Sequence, residues 1–207
     1  MSSNTPSKRW PWGLVLGIVL FSGCSLTKPQ PEVRHYTLEI ALPAASSATA
    51  SATLVVRPFS AQDPYSQERL VYRTSPYQLD FYNYHRWAAP PPEQIADWTR
   101  RYLRDTALFT RVSPTGEGAA DFALNGKIRR LEEVDHEQTW EAVLNIDFWL
   151  TRAEQRTPVW FQSYTTVQQA TKRNPAAVAE AMSRNLEAIL SKLGADLAPV
   201  VAAPPAP

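Results

Sequence analysis

Cysteine occurs once in this chain, histidine three times, and glycine only seven times among 207 residues. A single cysteine excludes an internal disulfide and a thiolate cage for a metal. His35, His85 and His136 stand without a neighbouring His, Asp or Glu at metal-ligand spacing, so neither a metal nor a cofactor is expected. The sequence has no glycine-rich phosphate loop and no Gly-x-Ser-x-Gly elbow, the usual marks of nucleotide binding and of one large class of serine hydrolases. Charge of one sign is lacking too. Lys and Arg number 21 against 20 Asp and Glu, a formal net charge of +1. That leaves no basic surplus to neutralise a phosphate backbone, and nucleic acid is not an expected partner. Long apolar runs are missing as well: Trp12–Phe21 is about half of the roughly 20 residues a membrane-spanning helix needs.

What is there begins with that short run. Lys8 and Arg9 precede it and Ser22-Gly23-Cys24 follows it, the layout of a secretory signal with a positive start and an apolar core. Leu20-Phe21-Ser22-Gly23-Cys24 resembles the lipobox of bacterial lipoproteins, with Phe21 where Leu is usual. The resemblance implies that residues 1–23 are removed and that Cys24 carries acyl chains, palmitate among them. A thiolate is the nucleophile such a modification needs. Two or more chains give stable anchoring, at about 0.8 kcal/mol per buried methylene. Loss of Lys8 and Arg9 with the signal takes the charge from +1 to 1 − 2 = −1. Ser25 stands where Asp would mark inner-membrane retention, so the resemblance favours the outer membrane with the domain in the periplasm.

Residues 24–35, with Pro29 and Pro31, read as a lipidated spacer, and residues 36–197 as one domain. Alternating apolar residues predict strands at Tyr36–Ile40, Leu54–Phe59, Arg69–Thr74, Gln78–Tyr84, Asp121–Arg130, Trp140–Leu150 and Val159–Val167. Phe109–Val112 is a shorter strand or connector, and Ala44–Thr53 an exposed loop. Helices are expected from Pro92 to Leu108 and from the Asn174-Pro175 start to Leu193, with Gly194 ending the second. Arg100, Arg101 and Arg104 read as the solvated face of the first. Gly126 suggests a bulge or a close backbone approach. Residues 198–207 read as a disordered Pro/Ala tail. The fold class is α+β, a single domain with a mixed, largely antiparallel sheet packed by two main helices.

No catalytic constellation is legible. Glu132, Glu133 and Asp135 read as a solvated hairpin turn, and His85 shows no orienting partner. The segment from Tyr65 to Pro92 is instead dense in aromatic residues interleaved with arginine and proline. Tyrosine and tryptophan combine an apolar body with a polar tip and are favoured at interfaces. Tyr82, Tyr84, Trp87, Pro90 and Pro91 are therefore the expected partner-binding residues, Tyr82 and Tyr84 on the surface, with core packing the competing role for Trp87.

Val56-Arg57-Pro58-Phe59, Arg69-Leu-Val-Tyr-Arg-Thr74 and Trp87-Ala-Ala-Pro-Pro91 resemble, in order and spacing, the ABC-type transport auxiliary lipoproteins, the PqiC-like proteins. Tyr36-Thr37-Leu38 and Ala120-Asp-Phe-Ala-Leu-Asn-Gly126 fit the same pattern, and the resemblance spans roughly Tyr36 to Leu193. It implies a non-enzymatic outer-membrane lipoprotein that partners MCE-domain proteins and an inner-membrane permease and ATPase moving lipids or hydrophobic solutes. It also implies that copies can form a homo-oligomeric ring. A lipid-binding periplasmic carrier and an envelope hydrolase are the alternatives the residues leave open.

Overall fold

The strand that organises the sheet is Phe122–Asp135, five residues longer at its C-terminal end than its apolar alternation predicts. In the computed structural model, which describes residues 2, 31–44, 52–115, 118–152 and 157–203, the strands are β1 (Arg34–Tyr36), β2 (Thr53–Val56), β3 (Ser60–Ala61), β4 (Arg69–Ser75), β5 (Gln78–Trp87), β6 (Arg111–Pro114), β7 (Phe122–Asp135), β8 (Trp140–Arg152) and β9 (Pro158–Gln169). The helices are α1 (Pro91–Asp105) and α2 (Pro175–Ala202). Cys24, most of its spacer and residues 204–207 lie outside the described residues.

β7 pairs along one edge with β8, antiparallel and nearly continuous. Its other edge is shared by three short parallel partners in turn: β2 at Phe122–Leu124, β3 at Lys127–Ile128 and β4 at Glu133–Val134. β9 extends the β7–β8 meander antiparallel, β5 returns antiparallel on β4, and β1 and β6 run parallel to β5 and β2. The sheet is thus mixed, as expected, but five of its eight pairings are parallel. The antiparallel share is smaller than the sequence suggests because β2, β3 and β4 all reach β7 after crossovers.

Both helices cover one face of this sheet, α2 against β8 and β9, α1 against β2, β6 and β7. Ala142, Leu144, Ile146, Phe148 and Leu150 of β8 all point into that layer and are fully buried. Asn174 caps α2 as predicted, its side chain accepting from the Ala177 N–H at 2.9 Å. Gly194 does not end the helix. It lies within α2 facing α1, where a Cβ would make ordinary contact at 3.8 Å with Tyr102 and Thr106. The helix runs on through Pro199 to Ala202, and the tail expected from residue 198 is helical that far. A proline in the last turn forfeits only one backbone bond before the helix ends anyway. α1 stops at Asp105, three residues short of Leu108, because Ala107 takes a left-handed conformation with φ 60°.

Gly126 marks a close approach: a Cβ there would sit 2.8 Å from the Phe59 ring. The bulge lies further on, between Ile128 and Arg130. It shifts the side-chain parity of everything beyond it.

Candidate functional site

The aromatic and arginine-rich segment folds into the β4–β5 hairpin and the start of α1. The hairpin is far from regular. Between the pairs Arg69↔Arg86 and Val71↔Phe81, β4 advances two residues while β5 advances five. The surplus leaves Tyr82, Asn83, Tyr84 and His85 without partners on β4, although His85 still pairs with Arg34 of β1, and this divides the expected docking residues. Tyr84 is 39 % exposed, and Tyr77 at the hairpin tip is 98 % exposed, an aromatic the sequence reading did not single out. Pro90 is half-buried at the entry to α1. Trp87 is 2 % exposed and belongs to the core, and Pro91 is buried as well, so neither is offered to a partner.

Tyr82 also corrects the surface expectation. Its ring is half-buried, tilted against Tyr72 at 4.8 Å and edge-on to His85 at 5.3 Å. Its hydroxyl donates to Glu133 at 3.0 Å. His85 does have a partner, since its Nδ1 lies 2.8 Å from the Tyr36 hydroxyl and the two rings stack. Burial, with the Arg34 charge adding to it, lowers the pKa of His85 and favours the neutral ring.

Glu132 and Glu133 are not in a turn. Both lie inside β7, 1 % and 2 % exposed, on opposite faces of the strand. Glu132 accepts from Tyr65 Oη at 2.5 Å, from Arg73 Nε at 2.9 Å and from Arg130 Nε at 3.0 Å. Burial acts to raise its pKa, but the bonds from Arg73, Tyr65 and Arg130 outweigh it and hold the carboxyl below its ordinary value. The same cluster pushes the Tyr65 phenol up to about 12, chiefly by burial and then by its bond to Glu132. Among the described residues Glu133 has only Tyr82 as a direct donor, and burial pushes it up to about 7, the Asp135 charge adding and Tyr82 and Arg173 opposing. Neither carboxylate reaches solvent, so neither can meet a substrate. Their work is to hold the hairpin on β7. Leu131 and Val134, apolar residues inside the charged run, were the signal that the strand continues.

The first described segment of the domain is fixed by side chains. The Leu38 N–H donates to Gln94 Oε1 at 3.0 Å, and the Leu38 carbonyl accepts from Trp98 Nε1 at 2.9 Å. The Glu39 N–H donates to Ser183 Oγ at 3.1 Å. Leu38 and Ile40 are buried as their alternation predicts, yet residues 37–40 are in no strand, because α1 and α2 supply the partners a neighbouring strand would have given. Residues 37–40 therefore enter the domain between its two helices. Among the described residues no helix is long and apolar enough to cross a membrane.

A crystal structure of the Xanthomonas campestris protein XCC0632 is similar to this chain, with a TM-score of 0.71 and 21 % identity over 78 % of this chain and 93 % of that one. A second crystal structure, of an uncharacterized protein, gives a TM-score of 0.66 at 14 % identity, covering 81 % of this chain and 99 % of the other. The Chlamydia trachomatis protein CT253 gives 0.50 at 8 % identity, covering 75 % and 100 %. These likenesses concern the fold. No curated protein matches the chain. The family described as ABC-type transport auxiliary lipoprotein component matches residues 36–193, nearly the whole of the folded domain. This chain belongs to that family of transport auxiliary lipoproteins.

Proposed function

We propose that the protein is a non-catalytic docking component, tethered by acyl chains on Cys24 to the outer membrane with its domain in the periplasm. It serves an MCE-type system that moves lipids or hydrophobic solutes between an inner-membrane permease and ATPase and the outer membrane. Family membership over residues 36–193 carries the reading, and the lipobox-like Ser22-Gly23-Cys24 agrees with it. The binding of residues 38 and 39 to both helices also supports it, since a pull on the tether would be borne by the two-helix layer. Tyr84 and Pro90 are the docking residues retained from the sequence reading, and Tyr77 joins them at the hairpin tip. Association into a ring is supported by β9, an edge strand of 12 residues without one charged side chain. Edge strands that stay unpaired usually carry such charges.

Cys24→Ala is expected to abolish incorporation of labelled palmitate and to remove the protein from the outer-membrane fraction. Normal outer-membrane fractionation of that variant sinks the anchoring claim. Tyr84→Ala and Tyr77→Ala together are expected to weaken capture of the MCE-domain partner about tenfold, a loss of roughly 1.4 kcal/mol, with an unchanged melting curve. Undiminished capture removes the hairpin from the interface. Lipid co-purifying with the Cys24→Ala protein would favour a carrier instead.

A further inference from the structure

Arg69 of β4 and Arg86 of β5 are direct register partners, so their side chains leave the same face of the hairpin. Residues so placed have Cβ atoms about 4.5–5.5 Å apart, and like charges in that position repel. Proteins usually relieve such a pair with a carboxylate, yet among the described residues no Asp or Glu forms an ion pair with either arginine. Arg69 is nevertheless held still. Its Nε donates to Gln67 Oε1 at 3.1 Å and its guanidinium lies 4.3 Å over the Phe81 ring, which leaves both terminal nitrogens unused. Among the described residues the Arg86 side chain has no hydrogen-bond partner, and its Nε is buried. An unpaired donor of this kind is costly.

The two arginines line one cleft of about 500 Å³ with Gln67, Glu68 and Pro90. That volume lies in the range of small-molecule sites, about 300–1,000 Å³. The Glu68 side chain is exposed at the rim, and its backbone carbonyl is taken by the Trp87 N–H at 2.6 Å. Two guanidinium groups and one carboxylate leave the cleft with a single net positive charge, which suits a monoanion better than a dianion. Guanidinium forks match phosphate oxygens two at a time, and a pair of forks can engage both free oxygens of a diester.

We infer that Arg69 and Arg86 form a binding site for a phosphodiester monoanion, beside Pro90 at the entry to α1. The inference rests on the charge geometry of the hairpin and not on the transport reading. The diester can come from a lipid headgroup or from a soluble glycerophosphodiester, and the test separates the two.

The full chain carrying Cys24→Ala is titrated with glycerophosphoglycerol, and separately with vesicles of phosphatidylcholine alone or with phosphatidylglycerol added. Arg86→Gln and Arg69→Gln are each expected to weaken diester binding at least tenfold, with a melting temperature equal to or above that of the parent because the like-charge pair is gone. The diester is expected to raise the melting temperature of the parent and not of the double variant. Arginine-dependent binding to the anionic vesicles alone assigns the site to a headgroup in the bilayer, and binding of the soluble diester assigns it to a free ligand. Equal binding by the parent and the double variant, or acetate binding as tightly as the diester, overturns the inference.

Discussion

Glu132 and Glu133 are adjacent, chemically identical and equally buried, yet they meet opposite surroundings across one strand. Glu132 faces two guanidinium groups and a phenol and is held ionised. Glu133 faces one phenol and the nearby Asp135, with Arg173 engaged on Asp135 at 3.2 Å, and takes up a proton near neutral pH. Burial costs both carboxylates alike, so the donors aimed at each decide its charge. The bulge between Ile128 and Arg130 sets the side-chain parity beyond it, and with it the face each carboxylate meets.

The comparison can be broken most forcefully at Arg73. Arg73→Ala leaves Glu132 buried with one arginine and a phenol, and a loss of about 3 kcal/mol is expected in urea unfolding. A change within 0.5 kcal/mol, the range of ordinary surface substitutions, would mean that Arg130 suffices alone. Next in size is the pH response of Glu133. Its folded pKa is about 7 against an ordinary 4.5, so the folded state holds a proton that the unfolded chain has released. Stability from this group is full below pH 4.5 and is lost as pH rises toward and through 7. The loss is at most about 3 kcal/mol. Glu132 works in the reverse sense, its contribution present above its ordinary pKa and lost as pH falls through the lower folded value.

Glu133→Gln should match the parent at pH 5, lose the decline toward pH 7 and exceed it in stability at pH 8. Glu132→Gln should cost about 2 kcal/mol at neutral pH. Thermal melts across that range compare the two directly, and equal behaviour of the two variants would erase the distinction. The smallest effect belongs to Tyr82→Phe, which removes the hydroxyl that donates to Glu133 and should cost about 1 kcal/mol. Because that bond favours the ionised form, its loss should also move the Glu133 transition to higher pH. A transition unmoved in the Phe variant would assign it to another group.

Much of the frame was legible in the chain. The alternation from Trp140 to Leu150 predicts β8 and its buried face, and Asn174-Pro175 predicts the start of α2 to the residue. These succeed because period and capping are local properties of the backbone. The docking residues fared unevenly for a related reason. Tyr84 and Trp87 are three residues apart, so alternation puts them on opposite faces of β5, and only the packing around the strand decided that the Trp87 face is core.

By itself the sequence determined the α+β class, the strands and helices that form most of it, and the family to which the chain belongs. Only the tertiary structure decided that Glu132 and Glu133 are buried, that residues 37–40 are bonded by helix side chains, and that Gly194 lies inside α2 instead of ending it. It alone set Arg69 opposite Arg86. Each of these depends on groups distant in the chain that supply a hydrogen-bond partner, a charge or a surface at contact range, and no local pattern of residues encodes such a meeting.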